Sequence, residues 1–217
     1  MNSRDKPFID RRDAGFELGK LLEKKYKGKN ALVLGIPRGG VEVAYDISKI
    51  LGAELSVVIS KKLPHPNQQE FAVGAVSEDG SLFINPAGKK LDDHILQRII
   101  DEQFKEIKSR IQRFRNGRQL PSMLNRHVII VDDGIATGST IVPVLMLCKN
   151  RNAAKVIVAA PVSGLNYVSE ITSLANEVVV AERPKDFYAV GQVYRDFHEL
   201  SDEEVLLLLS DVQVSGF

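Results

Sequence analysis

Apolar residues along the chain switch between helical spacing and short unbroken runs. Between Asp10 and Tyr26, Phe16, Leu18, Leu21, Leu22 and Tyr26 recur among charged residues as one helix face, and Gly28 closes the segment. Residues 31–36 (ALVLGI) form an apolar run that ends in Pro37-Arg38-Gly39-Gly40. Val41, Val43, Ala44, Ile47 and Leu51 then repeat at helical spacing up to Gly52, and residues 55–60 (LSVVIS) supply a second β-branched run. Strand, glycine turn, helix and strand make a βαβ unit with a parallel sheet.

Residues 61–86 break this pattern. Pro64, Pro66, Asn67, Gly74, Gly80 and Pro86 punctuate two apolar patches, 71–76 and 82–84, so a long, partly hairpin loop is expected. Leu91, Ile95, Ile99, Ile107, Ile111 and Phe114 mark one face of a long helix. Arg110, Arg113, Arg115 and Arg118 near its end read as solvated charge that suits the helix dipole. Strands follow at 127–131 and 155–160 with a helix over 139–149 between them. A shorter helix at 165–175, a strand at 177–181 and a final helix at 201–209 complete the chain, with Ser201 and Glu204 at capping-box spacing. The expected fold is α/β: a doubly wound, mostly parallel central sheet of about five strands with helices on both faces.

The 217 residues, 44% of them hydrophobic, suit one domain over 1–217. With 29 Lys and Arg against 28 Asp and Glu, no global field argues for nucleic acid or membrane as partner. No run approaches the roughly 18 apolar residues of a membrane helix, and residues 1–16 lack the apolar stretch of a secretory signal. The single cysteine, Cys148, sits in an apolar run and reads as packed rather than reactive. A cytoplasmic protein is expected, with a homodimer as the default assembly.

The densest chemistry lies at residues 128–140, VIIVDDGIATGST. Asp132 and Asp133 stand just past a buried strand, where ligands collect in open α/β sheets. Gly134, Ala136, Thr137, Gly138, Ser139 and Thr140 form a turn of small and hydroxylated residues leading into a helix, whose N–H groups suit a phosphate. The phosphate loop of nucleoside triphosphatases is absent, and the adjacent aspartates do not fit a pattern that needs them two apart.

This thirteen-residue stretch resembles the signature of type I phosphoribosyltransferases. The resemblance extends over nearly the whole chain and looks closest to a branch of phosphoribosyltransferases of undefined acceptor. It implies that Asp132 and Asp133 hold a ribose and, through ribose or water, a Mg²⁺ ion. It implies that Arg38, Gly39 and Gly40 bind pyrophosphate, with a cis or strained peptide near Pro37-Arg38, and that Lys61 or Lys62 helps neutralise the departing charge. It also implies that residues 61–86, with His65 and Glu70, close over the site. A hood at 182–200 would hold the acceptor, with Phe187 or Tyr188 stacking on a heterocycle and Asp196 facing the acceptor or the metal. The implied reaction transfers ribose 5-phosphate from 5-phosphoribosyl 1-pyrophosphate to a nitrogenous acceptor, as in nucleotide salvage. Two alternatives stay open: a regulator that binds phosphoribosyl ligands without turnover, and a phosphoribosyl-diphosphate hydrolase. Departures from the 6-oxopurine enzymes, Ala136 in place of an acidic residue and no lysine in Ala160-Pro161-Val162-Ser163, weaken hypoxanthine, guanine and xanthine as acceptors.

Overall fold

The computed structural model describes residues 7–214. Helix α1 (Arg11–Tyr26) starts at Asp10, whose side chain accepts the Asp13 N–H, and leads into β1 (Ala31–Gly35). Next come α2 (Gly39–Leu51), closed by Gly52 in the left-handed region, and β2 (Glu54–Val57). After an intervening segment, β6 (His127–Val131), α4 (Ile141–Asn150), β7 (Lys155–Val162), the short α5 (Glu170–Leu174) and β8 (Glu177–Glu182) follow. The last element described is α6 (Asp202–Val214), where Ser201 and Glu204 exchange backbone and side-chain hydrogen bonds as the capping box predicts.

These five strands form one parallel sheet in the order β2-β1-β6-β7-β8. Its three central strands are buried on both faces, which explains why they read as unbroken apolar runs. Side chains nonetheless divide with the period of two that a pleated strand imposes. Leu32, Leu34, Val128, Ile130, Val156 and Val158 pack with α4 on one face. Ala31, Val33, Ile129, Val131, Ile157 and Ala159 pack with α1 and α2 on the other. The expected doubly wound core is therefore present. Cys148 belongs to it, and burial pushes its thiol up to about 12.

The intervening segment differs from expectation. Residues 61–86 contain the hairpin, but with far more regular structure than a loop: β3 (Ser60–His65), β4 (Gln68–Ser77) and β5 (Leu82–Ile84) form a second, antiparallel sheet. Leu63, Val73 and Val76 join Ile99, Ile107 and Phe114 of the long helix α3 (Asp93–Arg115) in a third apolar cluster, so this sheet has a core of its own to bury. Of the prolines that suggested a loop, Pro64 lies on β3, where register shifts absorb the missing ladder donor, Pro66 at the hairpin tip and Pro86 beyond β5. The arginines of α3 are likewise not uniformly solvated. The Arg115 side chain is 7% exposed and pairs with Glu78 at 2.6 Å, while Arg113 pairs with Glu203 on α6.

Candidate functional site

The site forms where β1 and β6, neighbours in the sheet, release their chains at the same end. Ile36 N–H donates to Val131 O at 2.9 Å, so the turn after β1 is tied to the last residue of β6. The Pro37-Arg38 peptide in that turn is cis. Gly39 and Gly40 follow, and neither tolerates a side chain. A Cβ on Gly40 would lie 2.6 Å from Val131 O and 2.9 Å from the Asp132 Cα; one on Gly39 would lie 1.9 Å from Asp133 Oδ2. The glycines thus bring the Arg-Gly-Gly turn against the aspartate pair.

Asp133 N–H donates to Asp132 Oδ1 at 3.0 Å. Burial and the neighbouring Asp133 charge push the Asp132 carboxyl well above its usual range, with only partial relief from Lys62 and Arg11. Burial raises Asp133 too, but a hydrogen bond from Arg11 opposes the shift. Beyond the pair, Gly134 faces Val190 of the 182–200 segment, where a Cβ would come within 2.5 Å of a valine methyl. Thr137 Oγ1 lies 3.1 Å from Ser139 Oγ, and Gly138 has φ +75. Thr140 caps α4 without a side-chain hydrogen bond, while Ile141 N–H turns back to Gly138 O at 3.0 Å and Ser139 N–H to Thr137 Oγ1 at 3.4 Å. Ala136 is exposed beside this turn and brings no titratable group.

The lysine pair divides. Alternation along β3 sends neighbouring side chains to opposite faces. Lys61 lines a cleft of ≈ 200 Å³ with Pro37, Arg38, Ser60 and Arg110, and burial together with the Arg110 charge holds its ammonium below the usual range. Lys62 is exposed, and its charge acts on Asp132. Arg38 is ion-paired with Glu199 and lies 3.8 Å from Asp202 Oδ1. His65 and Glu70 stand at the outer end of the β3–β4 hairpin, where the His65 ring lies 6.1 Å from that of Phe71.

In the 182–200 segment, Phe187 is partly buried and packs over Gly164, whereas Tyr188 is 86% exposed. The Asp196 carboxylate is exposed and sits 3.4 Å from His198 Nδ1 rather than among the site residues. Two functional groups escaped the sequence reading. Arg11 of α1 donates through Nε to Asp133 Oδ2 at 2.9 Å, and the Tyr194 hydroxyl donates to Asp133 O at 2.7 Å. Burial pushes that hydroxyl upward in pKa and keeps it a donor. The overlooked signal was positional: Arg11 stands on the same helical stripe as Ala14, Leu18 and Leu22, a charge where the pattern calls for an apolar residue. Among the described residues, no group of three or more His, Cys, Asp or Glu is placed to hold a metal ion. No described helix is long and apolar enough to cross a membrane.

A parallel sheet of this order, with a carboxylate pair, a turn of small hydroxylated residues and a glycine turn at one end, is the type I phosphoribosyltransferase fold. The chain belongs to the phosphoribosyl transferase domain family, which matches residues 12–198. A Mycobacterium tuberculosis protein, Rv0571c, whose name assigns it provisionally to the phosphoribosyl transferases, is 41% identical over 207 residues. That match takes in 94% of this chain and 46% of the relative, so the chain spans about half the length of the curated relatives it matches. The crystal structure of TT1426 from Thermus thermophilus superposes with a TM-score of 0.80 at 38% identity, over 94% of this chain and 98% of that one. A hypoxanthine phosphoribosyltransferase from Staphylococcus aureus superposes with a TM-score of 0.50 at 16% identity, over 82% of this chain and 74% of that one, and speaks for the fold alone.

Proposed function

We propose that this domain binds 5-phosphoribosyl 1-pyrophosphate and transfers its ribose 5-phosphate to a nitrogenous, nucleobase-like acceptor, with release of pyrophosphate. The observation that carries the reading is the contact of Gly39 and Gly40 with Asp133 and Asp132. It joins a turn suited to pyrophosphate to a carboxylate pair suited to ribose, although about ninety residues of chain separate them. The turn of small and hydroxylated residues at Thr137 to Thr140, beside the carboxylate pair, supports a third subsite for the 5-phosphate.

In this reading the backbone of 137–140 and the hydroxyls of Thr137, Ser139 and Thr140 hold the 5-phosphate. Asp132 and Asp133 accept hydrogen bonds from the vicinal ribose hydroxyls, and their negative charge favours the cation-like sugar that forms as the C1–oxygen bond breaks. Arg38, Lys61 and the amides of Gly39 and Gly40 take up the charge of the leaving pyrophosphate, and Lys62 adds field from the Asp132 side. Phe187 and Tyr188 flank the acceptor. The donor set suits Mg²⁺: two carboxylates without a protein cage leave most coordination positions to substrate oxygens and water. When bound, the ion would offset pyrophosphate charge and orient the ribose. Catalysis by the chain itself is positioning and electrostatics.

Pyrophosphate release from 5-phosphoribosyl 1-pyrophosphate and Mg²⁺, measured with a panel of nitrogen heterocycles and an acceptor-free control, tests the reading. Acceptor-dependent release supports a transferase. Equal release without acceptor points to the hydrolase, and tight binding without release to the regulator.

A further inference from the structure

One guanidinium joins four segments that lie far apart in the chain. Arg11 is 6% exposed. Besides gripping Asp133 Oδ2, it donates through Nη1 to His198 O at 2.9 Å, and its Cζ stands 3.9 Å from the centroid of the Phe197 ring. Phe197 stacks on Tyr194 at 5.0 Å, and Tyr194 returns to the signature by its hydrogen bond to Asp133 O. The fourth segment is α2, where Glu42 Oε2 lies 3.9 Å from Arg11 Nη1 and is buried without a hydrogen-bond partner.

Burying an arginine with two carboxylates is a poor way to stabilise a fold, because lost hydration offsets the attraction. What the arrangement supplies is orientation. With Oδ2 held by Arg11 Nε and the side chain still 19% exposed, the Asp133 carboxylate is fixed in one orientation toward a ribose hydroxyl. The same guanidinium is held by the backbone and ring of residues 197–198, so the orientation of Asp133 depends on the seating of that segment. Arg11 stands one residue before the stretch matched by the family.

We propose that Arg11 is a positioning residue for Asp133, fixing the carboxylate that receives the ribose and coupling it to the seating of the 194–198 segment. This inference rests on the functional reading above. Calorimetric titration with Mg²⁺ and 5-phosphoribosyl 1-pyrophosphate, with thermal unfolding in parallel, tests it on the full chain and on Arg11→Met, Arg11→Lys, Asp133→Asn and the double variant Arg11→Met/Asp133→Asn. Arg11→Met is expected to weaken binding about 10- to 100-fold, the range found when a partner that orients a ligand-binding group is removed. Asp133→Asn weakens it at least as far, and the double variant binds no worse than Asp133→Asn alone, because one residue acts through the other. Additive losses would show an independent structural role and overturn the inference. Should Arg11→Met fail to fold, Arg11→Lys replaces it: a folded Arg11→Lys that binds about 10-fold more weakly supports the proposal, and wild-type affinity overturns it. If the wild-type chain does not bind the probe, the functional reading fails and the inference with it. If the wild type binds and folded Arg11→Met binds equally well, only the inference fails.

Discussion

The two aspartates of the signature, equivalent in sequence, should differ in what loss of charge does to the fold, because only Asp133 is paired with Arg11 among the described residues. Asp133→Asn removes the hydrogen-bonded anion from Arg11, a guanidinium whose side chain is 6% exposed. Breaking a buried pair by deleting one partner costs about 3–5 kcal/mol. The Asp133 side chain retains 19% exposure and Glu42 remains 3.9 Å from Nη1, which places the expected loss at the lower end. A value of about 3 kcal/mol lowers Tm by roughly 6–12 °C in a domain of this size. Asp132→Asn has no such consequence, since among the described residues Asp132 forms no ion pair within 4 Å and burial already disfavours its charge. The sign with pH follows. A carboxyl raised on folding contributes its stability below the unfolded pKa of about 3.9 and loses it as pH climbs through the folded value. The wild type therefore falls behind Asp132→Asn as pH rises from 4 to 7. Urea unfolding of both variants and the wild type at pH 4 and pH 7 reads this directly. Equal destabilisation by the two substitutions at pH 7, or no loss in Asp133→Asn, would refute the assignment of Arg11 to Asp133 alone.

Gly40→Ala should cost about 1–3 kcal/mol, because the added methyl meets the backbone of β6, which cannot rotate away; a Tm within a degree of wild type would show that the turn can shift. Tyr194→Phe leaves Asp133 O without its 2.7 Å donor and should lower stability by about 1 kcal/mol, visible as a shift in the urea midpoint at unchanged slope. Glu199→Gln frees Arg38 from an ion pair whose carboxylate is 83% exposed, so pyrophosphate should bind more tightly, by no more than about fivefold. Titration with pyrophosphate measures the change, and weaker binding would mean that Glu199 helps rather than competes.

The chain's own pattern determined the parallel sheet and the neighbourhood of the site. Strands buried on both faces must be apolar throughout, so 31–36, 128–131 and 155–160 announced themselves, and the residues that follow such strands are where a ligand can be met. Local chemistry, two carboxylates and a run of small residues before a helix, was equally visible because it is contiguous. The sheet β3-β4-β5 was not, since its strands carry prolines and glycines that read as a turn until α3 covers them and gives Leu63, Val73 and Val76 something to bury against. Nor could sequence separate Lys61 from Lys62, which only the pleat of β3 sends to different neighbours. Arg11 shows the limit most plainly. A charge on the buried stripe of α1 marks a residue that must find a partner, but which one is a question of tertiary distance. Folding places Asp133 122 positions away at 2.9 Å, and no local rule connects residues so far apart in the chain.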